Sequence, residues 1–152
     1  MVRVLSGVLG QGIAFLAQFI TAARGIWAGS APEPEQRVYF ANHTSNGDFV
    51  LIWSVLPAHL RRQVRPVAAA DYWLAGPIRR YVVEAVFRAV LIEQNPEQRS
   101  EDPVAQMIEA LDAGASLILF PEGRRNPEGL GPFRTGLFHL AEARPTVALV
   151  PV

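Results

Sequence analysis

His43 and Asp48 stand five apart in "ANHTSNGDF", residues 41–49. An imidazole beside a carboxylate is the usual make-up of a general base. The acid accepts one ring N–H and fixes the tautomer, which leaves the other nitrogen able to take a proton. The spacing sets a condition on the backbone. Along one continuous helix five residues turn by about 140°, so the two side chains would diverge. They cooperate only if a helix starts between them. Ser45 and Asp48 match a capping box, with serine at N-cap and the acid at N3. That start would leave His43 on a loop and Asp48 in the first turn. Capping and dipole terms alone, worth roughly 0.5–1 kcal/mol, also account for Ser45 and Asp48. They give no reason for His43, and the two readings are compatible.

A second chemical stretch is "LILFPEGRRNPEGLGPFRTG", residues 117–136. An apolar run ends at Phe120, and Pro121, Glu122 and Gly123 turn the chain. Arg124, Arg125 and Arg134 follow, interleaved with Gly129, Gly131 and Gly136. Glycines allow close backbone approach, and arginines pair bidentately with phosphate. Loops after strand C-termini are where α/β sheets bind ligands. The same residues would also make an ordinary solvated turn.

Composition removes other chemistries. Half the residues are apolar, 18% are charged and the formal net charge is zero, so no global attraction to nucleic acid is implied and an anion site must be local. There is no cysteine, which excludes disulfides, thiolate ligands and a thiol nucleophile. All 14 basic residues are arginine, which excludes Schiff bases and phosphate-binding lysines. Beside His43 there are only His59, in "PAHLRR", and His139, in "GLFHLAEA", which read as helix-surface or packing residues.

The elements that would position these loops alternate. Strands are expected at 37–41, 64–70, 87–93, 116–120 and 146–152. Helices are expected in "DFVLIWSVLP", in "GPIRRYVVEAV" with Pro77 at its first position, in "EDPVAQMIEALDAG" closed by Gly114, and in "PFRTGLFHLAEA". Strands that are continuous apolar runs alternating with helices predict an α/β fold, a mostly parallel central sheet flanked by helices. The last strand is expected at an edge, or the chain is cut short there. Ahead of the sheet, Val4 to Ala23 carries no charge and is bracketed by Arg3 and Arg24. Twenty helical residues reach roughly 30 Å, enough to cross a bilayer core. Ser6, Gln11, Gln18, Thr21 and three glycines dilute that hydrophobicity, and Trp27 suits an interfacial anchor. A helix lying on or dipping into one leaflet is favoured; a full span and a packing helix remain open. The expected organisation is an N-terminal membrane-associated helix (1–29), a proline-broken linker (30–36) and one α/β domain (37–152).

Taken together, "NHTSNGD" followed far downstream by "FPEGRR" resembles the glycerolipid acyltransferase family, typified by 1-acylglycerol-3-phosphate acyltransferases. That family has an Asn-His-x4-Asp block and a Phe-Pro-Glu-Gly block. "AVFRAVLIEQ", 85–94, sits where it carries an aromatic-rich strand, and "VALVPV", 147–152, is similar to its last block. The resemblance runs from about Val38 to the C-terminus. It implies a glycerol-3-phosphate acyltransferase-like fold and O-acyl transfer from acyl-CoA or acyl carrier protein to a hydroxyl of a lysophospholipid-type acceptor. It implies His43 as base and Asp48 as its orienter, with direct attack and no acyl-enzyme. Glu122 and Gly123 would form the acceptor or catalytic loop, Arg124 or Arg125 would hold phosphate, and Pro151 would shape the site. No metal or cofactor is implied beyond the acyl donor, and the expected place is a membrane surface, at the cytoplasmic face. This chain departs from the family pattern in having Gln94 where an arginine is common, Arg124 where threonine is common, and Thr44 after the histidine. Arg88 and Arg99 lie near Gln94, and Arg88 joins the candidate substrate-binding residues. Family members continue beyond the last block, so a truncated domain is expected. A non-catalytic lipid or acyl-thioester binder and a thioester hydrolase are the competing readings.

Overall fold

The computed structural model describes residues 2–45, 47–126 and 128–152, with only the backbone of Val2 and Arg3. Asn46 of the His43 stretch and the Arg3 side chain of the N-terminal bracket therefore lie outside the described residues. Five strands form one sheet: β1 (Arg37–Phe40), β2 (Val64–Ala69), β3 (Val90–Ile92), β4 (Ser116–Leu119) and β5 (Ala148–Pro151). Their order is β3-β2-β4-β1-β5, and every pairing is parallel. The helices are α1 (Val2–Thr21), α2 (Asp48–Val55), α3 (Ala58–Arg61), α4 (Ala70–Leu74), α5 (Pro77–Tyr81), α6 (Pro103–Asp112) and α7 (Gly136–Ala143), and a π turn (Val82–Val86) continues α5.

Alternate side chains of a strand face opposite sides of the sheet, and in β1 and β4 both sides are buried, while the edge strand β5 is largely exposed. Tyr39 and Ile118 point into a core with Ala14, Phe49, Trp53 and Phe87. Val38, Leu117 and Leu119 point into a second core with Met107, Leu111 and Leu140. Thus α1, α2 and the π turn cover one face, while α6 and α7 cover the other. Helix α6 is well bounded: Pro103 opens it, the Asp102 carboxylate accepts the Ala105 N–H at 3.2 Å, and Gly114 closes it at φ +81°. Such a cap contributes about 1 kcal/mol.

Three boundaries differ from the expected ones, each because a backbone group is engaged elsewhere. Strand β3 starts at Val90 instead of Phe87. The N–H groups of Phe87 and Ala89 still bond back to Val82 and Val83, and Arg88 reverses the chain at φ +50°. Helix α7 starts at Gly136 instead of Pro132, since the Arg134 N–H is bonded to the Pro121 carbonyl at 2.8 Å. Helix α2 has Gly47, not Ser45, as its N-cap. The Ser45 hydroxyl accepts the Gly47 N–H at 3.1 Å and so does not cap Asp48.

Helix α1 is docked. Gly10 lies so close to Val86 and Trp53 that a Cβ would meet them at 3.2 and 3.3 Å. The Gln18 amide donates to the Ser54 carbonyl, and Arg61 donates to Gln11 at 2.6 Å. On the opposite side Val4, Leu5, Val8, Phe15, Leu16, Phe19 and Ile20 are exposed. The segment 30–36 is tied down by Arg37, which donates to the Ser30 hydroxyl and the Ala31 carbonyl.

Candidate active site

Strands β1 and β4 are hydrogen-bonded neighbours, with Phe40 opposite Leu119. The chain leaves β1 toward α2 on one face, and after β4 it passes to α7 on the other. A crevice opens where consecutive connections diverge in this way, at the carboxyl ends of the strands. The two chemical loops meet in it.

His43 and Asp48 touch. Nδ1 of His43 is 3.0 Å from Oδ2 of Asp48, and the two side chains are 18% and 17% exposed. The same oxygen accepts the N–H groups of Thr44 (2.7 Å) and Ser45 (2.8 Å). The bond to Ser45 is the acid's half of a capping box, so the loop folds around Asp48 although the N-cap lies at Gly47. An ionised carboxylate can only accept, so the ring proton belongs on Nδ1 and the lone pair on Nε2.

The second loop holds the first. Glu122 is only 4% exposed. Its Oε1 accepts the His43 N–H at 2.9 Å, and its Oε2 accepts the Gly131 N–H at 3.0 Å. The Asn126 N–H donates to the His43 carbonyl at 2.7 Å. The Phe120 ring lies flat on the imidazole, with centroids 4.2 Å apart and planes 13° apart. Gly123 completes the turn at φ +67°, its N–H bonded to the Phe120 carbonyl. Arg124 and Arg125 lie on the exposed side of this turn, and among the described residues neither side chain has a hydrogen bond or ion pair. Beside Asn42, a cleft of about 320 Å³ is lined by Phe40, Ala41, Leu130, Phe133, Pro151 and Val152.

Sequence reasoning expected His43, Asp48, Glu122, Gly123, Arg124 and Arg125 at one site; the structure brings His43, Asp48 and Glu122 into contact, and Gly123, Arg124 and Arg125 follow on the same turn with the two arginines exposed. Glu122 differs from expectation in detail, because its carboxylate is turned inward onto backbone N–H groups. Arg88 is a correction. Its guanidinium donates to the Arg62 carbonyl at 2.8 Å, ahead of β2 and so at the amino ends of the strands, away from the crevice. Strand β3 is also separated from β1 by β2 and β4, roughly 14 Å at the usual strand spacing. Arg99 is drawn to the Glu93 carbonyl at 3.0 Å. His59 and His139 are exposed on α3 and α7. Phe120, Asn126 and Gly131 were missed as partners of the site. Only Phe120, beside the Pro-Glu-Gly turn, left a side-chain signal. Among the described residues no three His, Asp or Glu side chains are grouped closely enough to hold a metal ion.

Residues 29–152 match the family described as Acyltransferase. The chain belongs to the acyltransferase family. It is 29% identical over 123 residues to the 1-acyl-sn-glycerol-3-phosphate acyltransferase of Escherichia coli K12, covering 76% of this chain and 45% of that protein. It is 31% identical over 116 residues to the chloroplastic 1-acyl-sn-glycerol-3-phosphate acyltransferase LPAT1 of Arabidopsis thaliana, covering 76% of this chain and 30% of that protein. The crystal structure of the 1-acyl-sn-glycerophosphate (LPA) acyltransferase PlsC from Thermotoga maritima shares the fold, with a TM-score of 0.66 at 21% identity over 91% of this chain and 54% of that one. This acyltransferase-family chain thus spans about half or less of the length of these relatives.

Proposed function

We propose that this chain carries the catalytic centre of a membrane-associated O-acyltransferase. It moves a fatty acyl group from a thioester, acyl-CoA or acyl carrier protein, to a hydroxyl of a lysophospholipid-type acceptor. The observation that carries the reading is the 3.0 Å contact of His43 with Asp48 at the β1–β4 crevice. The named activity of the relatives supports the substrate class.

In the proposed reaction Nε2 of His43 takes the acceptor's hydroxyl proton as its oxygen attacks the thioester carbonyl. Asp48 holds the Nδ1 proton and stabilises the imidazolium that forms. The tetrahedral intermediate expels the thiolate, which recovers the proton from His43, leaving ester and thiol. Arg124 and Arg125, beside Gly123 on the Glu122 turn, are suited to an acceptor or donor phosphate. The apolar cleft is suited to a hydrocarbon chain, and Pro151 forms part of its wall. The exposed side of α1 suits a helix resting in one leaflet while its Gly10 and Gln18 side stays on the domain.

The test is acyl transfer from acyl-CoA, and from acyl carrier protein, to lysophosphatidic acid in vesicles. His43→Ala is expected to lower turnover by about 10²–10⁴-fold, the usual worth of a general base, without loss of the folded state. Unchanged turnover would overturn the assignment. Release of free fatty acid at the same rate with and without acceptor would mean hydrolysis instead of transfer.

A further inference from the structure

We infer that the segment from Phe120 to Asn126 is a clamp on His43, in which Phe120 positions the imidazole and Glu122 positions its backbone. The inference rests on the reading of His43 as the base and assigns this segment a task distinct from contact with substrate.

A histidine on a loop has free backbone torsions and two free side-chain torsions. The single bond to Asp48 fixes Nδ1 but still lets the ring swing about that contact. The remaining freedom is removed from the second loop. Its N–H is held by Glu122 and its carbonyl by the Asn126 N–H, so the backbone on both sides of His43 is fixed. The Phe120 ring, almost parallel at 4.2 Å, closes one face of the imidazole. Phe120 is itself held: it directly follows β4 and packs, partly buried, against the core that contains Tyr39 and Ile118. An aromatic face beside the ring also favours the cation that His43 becomes when it takes a proton. Glu122 is turned away from an acceptor: both its oxygens are engaged by backbone N–H groups, of His43 and Gly131, and the residue is buried.

Phe120→Leu, Phe120→Met, Phe120→Tyr and Glu122→Gln separate the possibilities. Each is assayed for transfer from acyl-CoA to lysophosphatidic acid in phosphatidylcholine–phosphatidylglycerol vesicles. The histidine ring protons are followed by NMR in the same full chain. Phe120→Leu and Phe120→Met are expected to lower kcat by about 10-fold or more, as small misplacements of a catalytic group do, with KM for both substrates changed less than about twofold. Phe120→Tyr keeps kcat within about threefold of the parent, since it restores the flat ring. Glu122→Gln, which cannot accept from both N–H groups, lowers kcat and leaves the acceptor KM alone. In the parent and in Phe120→Tyr the His43 ring protons resonate upfield of their positions in Phe120→Leu, under the ring current of the stacked phenyl. The clamp is refuted if Phe120→Leu and Phe120→Met retain full kcat, if Glu122→Gln raises the acceptor KM with kcat intact, or if the ring protons do not move. If the parent transfers no acyl group, the proposed function fails, and the NMR comparison still decides the clamp.

Discussion

Gly131→Ala perturbs the site without altering any charged or hydroxyl-bearing side chain. A Cβ built on Gly131 would lie 2.6 Å from Oε2 of Glu122 and 3.1 Å from Nδ2 of Asn126. Ordinary contact needs at least about 3.4 Å, so the carboxylate must retreat by nearly 1 Å. It has little room to do so, being 4% exposed and held at its other oxygen by the His43 N–H. The change therefore costs the Gly131 bond, a hydrogen bond to a charged group worth roughly 1.5–3 kcal/mol. Alanine offsets about 0.4–1 kcal/mol by restricting the unfolded chain, and the backbone allows it, as Gly131 is not among the positive-φ glycines. The bond loss wins, with a net destabilisation of roughly 0.5–2.5 kcal/mol. For a chain of this size that lowers Tm by about 1–10 °C. Glu122→Asp shortens the acid and vacates the contested space, so the double variant should be less damaged than the sum of the two by at least about 0.5 kcal/mol. Thermal melts of the four proteins give Tm, and chemical denaturation gives the free energies of the cycle. An unchanged Tm for Gly131→Ala, or strict additivity with Glu122→Asp, would mean that Oε2 does not hold Gly131.

Phe15→Asp with Phe19→Asp should weaken binding to liposomes by about 10²–10⁴-fold, at roughly 1.5–3 kcal/mol for each phenyl transferred to lipid, read by vesicle co-sedimentation. Undiminished binding would remove α1 from the membrane contact. Gly10→Leu has no room against Trp53 and Val86, and overpacking there should cost about 1–3 kcal/mol and expose Trp53, seen as a red shift of its emission. The hydrogen bonds from Arg144, at 2.6 and 2.5 Å, hold the Asp112 carboxyl below its usual range. A depressed acid stabilises the fold above its unfolded pKa and loses that effect as pH falls through the folded one. The denaturation midpoint of the parent should therefore exceed that of Asp112→Asn at neutral pH and converge with it in acid. A gap that persists below the carboxylate range would contradict the pairing.

The layered fold was legible because strands buried on both faces have no polar side to confuse with a loop: "SLIL" of β4 is buried throughout. Helix α6 was legible because its cap, its first proline and its closing glycine are all local signals. What was lost came from competition for backbone groups. Ser45, three before Asp48, reads as a cap in sequence, yet its hydroxyl goes to Gly47. Pro132 reads as a helix start, yet the Arg134 N–H is committed to Pro121. Arg88 and Arg99 read as anion ligands near Gln94, yet each is drawn to a main-chain carbonyl. A carbonyl carries no residue identity, so no sequence signal competes with the guanidinium's apparent freedom.

The same asymmetry explains why the two halves of the site had different legibility. The His43–Asp48 contact is made by two side chains five apart, and a turn between them suffices to predict it. The contact between the two loops joins residues 79 apart in sequence, His43 and Glu122, and only one end of it is a side chain. The other end is a backbone N–H that any residue but proline would supply. Its existence depends on β1 lying next to β4, and nothing in five apolar strands states which two are neighbours. Once β1 and β4 pair, Phe40 falls opposite Leu119, and the first residues beyond those ends, Ala41 and Phe120, leave the sheet side by side. The acid two residues past Phe120 then reaches the backbone of the histidine two residues past Ala41. The strand order thus does for the distant pair what the start of α2 does for the near one: it converts separation along the chain into hydrogen-bond distance.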